Sequence, residues 1–422
     1  MQGLLLGITT AYAFTTFRQQ RTKQHNNLIL AAKKKQKKKS SQQRSHPISG
    51  KGFGQQINKS STITIADDAV EVEEHGNINH HATQYINLIE WLKQNPTTYI
   101  SPKFSVQPST LGGYGGFVTS SLKCNELIFQ IPRTCCVTYE DVLSDPDCGH
   151  AFRTLIKDKR IPSWGMILLA GWIAKEYLLG KEYEQYEATT KNLASSSMND
   201  SDNVERRGIK HWAYLQSVPW KKGELDQNHV IFWSDDEVES LLKGSFAYED
   251  AILIRNTVDD TINLLKDIVV PIIKTRTVLL CDDSKENFQS TTNEDDDDDT
   301  DDILNSLEEA VKGAFVIALS RSFAEEVELD DGSIEIENLL LPLIDILQHS
   351  NTPNTKLEPY EDYILVRARR DIDIGEELFH QYQEENDAVI PPHKFFTRYG
   401  FIPGVSESIT ELLRSRSSLF FG

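Results

Sequence analysis

Two blocks of strand-type sequence stand at opposite ends of a long helical stretch, and this order constrains the fold more than any other feature of the chain. The first block runs from Ser101 to Pro132. It reads as Phe104-Ser-Val106, then the glycine-rich Leu111-Gly-Gly-Tyr-Gly-Gly-Phe-Val118, then Glu126-Leu-Ile-Phe-Gln-Ile-Pro132. Apolar and β-branched residues bounded by Gly and Pro are strand signals. From Tyr139 to about Asp267 the apolar period becomes helical, with Met166, Leu169, Ala170, Ile173 and Tyr177 on one face. A further helix is expected over Leu307–Phe323, and strand signals return at Ile334–Leu347, Tyr363–Arg367 and Glu377–Tyr382. The class is therefore α+β: small, mostly antiparallel sheets interrupted by a helical insertion.

Local cues refine this outline. Tyr85, Leu88, Ile89 and Leu92 have the spacing of an amphipathic helix, where order is expected to begin. Ser234 with Glu237 three residues on predicts a capping box. The polar run Lys191 to Arg207 reads as a surface loop. The acidic run Asn293 to Asp302 reads as a solvated linker and not as a calcium site, because no Gly turn or spaced carboxylate pattern accompanies it. The expected organisation is a presequence and disordered basic tail over 1–75, a core part over 85–140, the insertion with its acidic linker over 141–305, a second core part over 306–404, and a tail over 405–422.

Charge narrows the partners. Residues 1–60 hold 12 Lys and Arg and no Asp or Glu, which leaves 32 basic against 63 acidic residues in the remainder. An acidic body repels nucleic-acid phosphates and suits a basic protein partner or simple solubility. Nothing in the sequence fixes the oligomeric state. The five cysteines include no CxxC pair, so reduced thiols are expected and neither a disulfide framework nor a structural metal site. No apolar run reaches about 18 residues, so no transmembrane segment is expected. At the N-terminus, Leu4–Phe14 is apolar and ends in Ala11-Tyr12-Ala13-Phe14, a small-x-small cleavage pattern followed by an acid-free basic segment. This resembles the bipartite plastid presequence of algae with secondary plastids, although its n-region carries no positive charge. Read as a tail whose Lys33–Lys39 run is an import patch, the same segment implies the nucleus, or else the cytoplasm.

Several separated pieces resemble one family. Gly113-Tyr114-Gly115-Gly116-Phe117 followed by Glu126–Arg133 looks like the opening of a SET domain. Asp345-Ile-Leu-Gln-His-Ser350 looks like its D-x-x-N-H-S motif, Gly375-Glu-Glu-Leu-Phe-His-Gln-Tyr382 like its G-E-E-[IL]-x-x-x-Y motif, and Tyr399-Gly400-Phe401 closes the set. Within the insertion, Tyr214–Pro219, Phe232–Glu239 and Ala318–Phe323 resemble the Rubisco large-subunit methyltransferase group, which also contains a protein-histidine methyltransferase acting on actin. The resemblance covers about residues 85–405. It implies a SET core, S-adenosylmethionine as cofactor, and methyl transfer to a protein side chain, most simply a lysine. A protein-histidine target and a SET-derived binding module that has lost catalysis are the alternatives. The group's helical C-terminal substrate domain is expected to be absent, because the chain ends 18 residues after Gly404.

The resemblance also assigns roles. Gly113, Tyr114 and Gly115 bring backbone close to the cofactor; taken alone, the glycines are also a hairpin turn. Arg321 meets the methionine carboxylate; taken alone, it is a C-terminal cation complementing a helix dipole. The backbone of His349 binds adenine while its ring packs, which is compatible with an ordinary core histidine. Tyr382 faces the transferring methyl and steers the nucleophile, or is a buried strand tyrosine. Tyr399, with Tyr360 or Tyr363, would wall a channel for the target side chain. Two positions depart from the group. Gln348 stands where Asn is usual, its amide about 1.5 Å further along the side chain. Gly112 stands where Glu is frequent, which removes a carboxylate able to bind the cofactor's ammonium group.

Overall fold

The first helix, α1 (Val72–Lys93), turns one apolar face inward: Tyr85, Leu88 and Leu92 are buried, as their spacing predicts. The structure, a computed structural model, describes residues 72–158, 164–193, 209–282, 298–328, 334–382 and 390–403. The described residues from His81 onward form one unit; those of the other unit, 72–80, are helical.

Two four-stranded sheets make the core. The first has the order β1 (Tyr99–Ile100), β4 (Leu127–Pro132), β9 (Tyr363–Ala368), β8 (Thr355–Pro359), all antiparallel. The second has the order β2 (Phe104–Pro108), β3 (Tyr114–Val118), β10 (Glu377–His380), β7 (Gln348–His349), with the last pair parallel. Each sheet takes strands from both sequence blocks, so neither is complete until the chain has returned from the insertion. A separate hairpin joins β5 (Ser322–Glu328) to β6 (Ile334–Leu340). The side chain of Asn354 fastens the return: its amide donates to the Glu377 carbonyl and its oxygen accepts from Phe379 N–H, both at 2.7 Å.

The insertion is helical: α2 (Tyr139–Ser144), α3 (Gly149–Lys157), α4 (Trp164–Leu193), α5 (Trp212–Ser217), α6 (Asp235–Leu242), α7 (Phe246–Asp282) and α8 (Asp298–Arg321). Helices α4, α7 and α8 pack together through long apolar faces, such as Leu307, Val311, Ala314 and Ala318 of α8, spaced three or four residues apart. The capping box is present: Ser234 accepts from Glu237 N–H, and the Glu237 carboxylate accepts from Ser234 N–H. A buried ion cluster binds the α2–α3 corner to α4. Lys175, 1% exposed, sits 2.5 Å from Asp145 and 2.8 Å from Glu176, while the Trp172 indole donates to Asp145 at 2.9 Å.

Three expectations are corrected. The acidic run is not wholly a linker: from Asp298 it forms the first turns of α8, where carboxylates complement the helix dipole. One helix therefore crosses the expected 305/306 boundary, and residues 293–297 lie outside the described residues. The strand at Ile334 stops at Leu340, because Leu343 takes a positive φ of 71° and Ile344–Ile346 coil into a 3-10 turn. The polar run begins helical, at 191–193 of α4, and its remainder lies outside the described residues, as do residues 1–71 and the 405–422 tail. No described helix is long and apolar enough to cross a membrane.

Candidate active site

The β2–β3 turn is a glycine loop held open by its backbone. Gly112 and Gly113 have φ of +99° and +63°, a region open to Gly at little cost, so Leu111–Gly113 belong to the turn and the strand begins at Tyr114. Gln348 reaches this loop from β7. Its amide donates to the Gly112 carbonyl at 3.1 Å and to the Tyr114 carbonyl at 3.2 Å, so the longer side chain clamps the loop. Gly115 plays a second part. A Cβ there would lie 2.1 Å from Glu377 Oε1, so the space above it is filled by the Glu377 carboxyl. That oxygen is buried without a hydrogen-bond partner, and burial raises the carboxyl's pKa.

Beside the loop lies a half-buried charge pair, its carboxylate the deeper of the two. Arg321 ends α8, and the 3-10 turn after β6 aims Asp345 at it, with Nη1 3.2 Å from Oδ2. The Tyr214 hydroxyl from α5 donates to the same Oδ2 at 2.9 Å. Burial opposes the Arg321 charge, but the Asp345 carboxylate and the surrounding tyrosines hold it firmly protonated. Burial pushes the Asp345 carboxyl upward, against the pull of Arg321 and Tyr214. Tyr85 of α1 feels this pair, lies 5.3 Å from the Tyr114 ring, and has its hydroxyl pushed up to about 12 by burial. The contacts of Arg321 with described residues all use Nη1; Nε and Nη2 remain able to meet an anion.

Tyr382 follows β10 and enters an aromatic group. Its ring is 5.0 Å from Tyr399, 5.1 Å from His349 and 6.4 Å from Phe401, and the Phe395 ring lies tilted 4.6 Å from Tyr399. Tyr399 and Phe395 come from α9 (Pro392–Tyr399), which Gly400 ends in a left-handed cap. His349 Nδ1 accepts from Tyr382 N–H at 3.2 Å, which leaves Nε2 as the donor to Asn351 at 3.2 Å. Burial lowers the His349 pKa and keeps this ring neutral. The Tyr382 hydroxyl donates a long 3.3 Å bond to the Leu347 carbonyl, and burial pushes its pKa well up, so it stays protonated.

Gly113, Tyr114, Gly115, Arg321, Gln348, His349, Tyr382 and Tyr399 thus belong to one linked set of contacts. Tyr360 and Tyr363 do not join it. They pair with each other, 5.2 Å apart, at the β8–β9 hairpin, and Phe395, Phe401 and His349 stand beside Tyr382 and Tyr399 instead. Sequence reasoning gave no role to Asp345, Tyr214 or Tyr85. The first two lie inside the motifs that carry the family resemblance, and residue type alone does not show that they meet Arg321.

Residues 113–383 match the SET domain model. The chain therefore belongs to the SET-domain family. Among curated proteins it is similar to N-lysine methyltransferase SETD6 of Mus musculus, 25% identical over 288 residues that cover 67% of this chain and 48% of that protein. The Danio rerio protein of the same name is 23% identical over 331 residues, covering 77% and 58%. Among solved structures, Rubisco LSMT bound to AdoMet is similar at a TM-score of 0.49 and 15% identity, over 76% of this chain and 57% of that one. The chain spans about half the length of the curated relatives it matches.

Proposed function

We propose that this chain is a protein-lysine methyltransferase that uses S-adenosylmethionine. One observation carries the reading: a half-buried arginine whose Nε and Nη2 make no bond among the described residues, a clamped glycine loop and a tyrosine hydroxyl in an aromatic enclosure are joined through Asp345, Gln348 and His349, which stand within five residues of each other. These residues fit the donor. Its carboxylate suits Nε and Nη2 of Arg321, which make no bond among the described residues, in a charge-assisted contact. The backbone of the glycine loop and of His349 suits its remaining length. When bound, the donor supplies an electrophilic methyl carbon on a positively charged sulfur.

The chain's own residues do the rest. Tyr382 presents a protonated hydroxyl that orients the incoming nitrogen, and orientation alone can supply most of the barrier reduction. Tyr399, Phe395 and Phe401 flank an alkyl stem and exclude water. The lysine ammonium must lose its proton before it attacks, and apolar surroundings favour the neutral amine. The target is lysine because the curated relatives are lysine methyltransferases. The test is incubation with methyl-labelled donor and a cell extract, followed by identification of the labelled residue. Label on a lysine supports the reading. Label on a histidine replaces the target, and donor binding without any label makes the chain a binding module.

A further inference from the structure

Position 112 lacks a side chain, and Asp226 stands in contact with the space a side chain there would enter. A Cβ on Gly112 would lie 3.4 Å from Asp226 Cβ and 3.5 Å from Asp226 Oδ2. The same Oδ2 accepts from Gly113 N–H at 2.9 Å. Asp226 is 113 residues away in sequence and belongs to the helical insertion, in the turn between α5 and α6. It is exposed, and among the described residues no cation pairs with its carboxylate.

The turn that delivers Asp226 is strained. Leu225 and Asp226 are consecutive non-glycine residues at φ of +47° and +61°, a conformation that persists only where the surroundings enforce it and that clusters at ligand sites. The surroundings do enforce it. The Glu224 carboxylate accepts from Trp220 N–H at 2.5 Å and Lys221 N–H at 3.0 Å, Gly223 N–H donates to the Gln227 carbonyl at 2.7 Å, and Leu225 packs against the main core.

We infer that Asp226 supplies, from the insertion, the anionic contact for the amino group of the donor's amino-acid end. This rests on the reading above that the donor is S-adenosylmethionine. The chemistry is complementary: Arg321 offers a cation to the carboxylate, and the ammonium beside it requires an anion. Asp345 is committed to Arg321 and Tyr214. Glu377 is turned against Gly115, and burial favours its neutral form. Among the described residues, Asp226 is the remaining carboxylate that touches the glycine loop.

The test is a cycle of two ligands and two proteins, read by titration calorimetry. The ligands are S-adenosylmethionine and an analogue with hydrogen in place of the amino group. The proteins are wild type and Asp226→Asn, whose amide oxygen still accepts from Gly113 N–H and so keeps the loop. Wild type is expected to bind the analogue at least about tenfold more weakly, the effect of a hydrogen bond to a charged group. Asp226→Asn is expected to lose most of that preference, binding both ligands about as weakly as wild type binds the analogue. Equal losses for both ligands, or none, overturn the inference while leaving the donor reading intact. A wild type that binds neither ligand overturns both.

Discussion

Arg321 has two obligations, and they predict different things. It faces Asp345, which is 4% exposed, and it offers its other N–H groups to an anion. Arg321→Ala is expected to weaken donor binding by about 1.5–3 kcal/mol, and to cost about 3–5 kcal/mol of stability by leaving a buried carboxylate unpaired. Arg321→Lys keeps a charge opposite Asp345 but loses the planar fork, so it should stay folded and bind poorly. An unchanged dissociation constant in the folded Lys variant removes Arg321 from the site. Gln348 gives a second prediction. Gln348→Ala breaks both bonds to the glycine loop, at about 1 kcal/mol each, and donor affinity measured by titration should fall about tenfold or more. The identity of these residues was legible because Arg, Gln and Tyr stand in recognisable short motifs. Their partners were not, since an Asp345–Arg321 pair depends on a 3-10 turn set by a positive φ at Leu343, which no periodicity announces. The aromatic neighbours of Tyr382 were misjudged at Tyr360 and Tyr363 for the same reason: aromatic residue type was visible, but the hairpin that turns them onto each other was not.

Among the elements, α4 is the one whose sequence conceals its function. Its apolar face was readable by period, but Lys175 and Glu176 look like exposed charges and are buried at 1% and 7% exposure. Asp145 accepts from both Lys175 and the Trp172 indole, and Glu176 flanks the ammonium, so an ion cluster of this kind is costly to break from one side. Lys175→Ala is expected to lower stability by about 3–5 kcal/mol in denaturant unfolding. A loss below about 1 kcal/mol would show that water replaces the ammonium. The capping box of α6 was legible because it is local, four residues long and independent of tertiary contacts. The start of α8 was not, because a run of like charge reads as a solvated coil until it is seen at a helix N-terminus, where the dipole and the packing of Leu307 and Val311 override it.

At the scale of the molecule, the order of strand, helix and strand blocks sufficed for the fold class, whereas strand pairing between blocks about two hundred residues apart had no local signal. Burial adds a pH dependence. The His211 ring contacts the Trp91 and Trp172 rings, and among the described residues neither of its nitrogens has a hydrogen-bond partner; His229 is fully buried. Burial lowers both pKa values from 6.5 to about 4. The unfolded chain therefore binds more protons between those values, and stability is fully present above about 6.5 and falls as the pH drops towards 4. A melting temperature flat across that window would contradict this. For the N-terminal segment, we propose plastid import. Residues 1–60 fused to a fluorescent protein should enter the plastid of an alga with secondary plastids, and nuclear accumulation would assign Lys33–Lys39 as the import signal instead. Methyl transfer steered by Tyr382 is tested by Tyr382→Phe, because the ring still fills its place among Tyr399, Phe401 and His349. Donor binding and single-turnover methylation of the identified target are measured on one preparation. Binding is expected to be nearly unchanged and the transfer step slowed on the order of 100-fold or more; a Tyr382→Phe protein that methylates at the wild-type rate would remove Tyr382 from the transfer step.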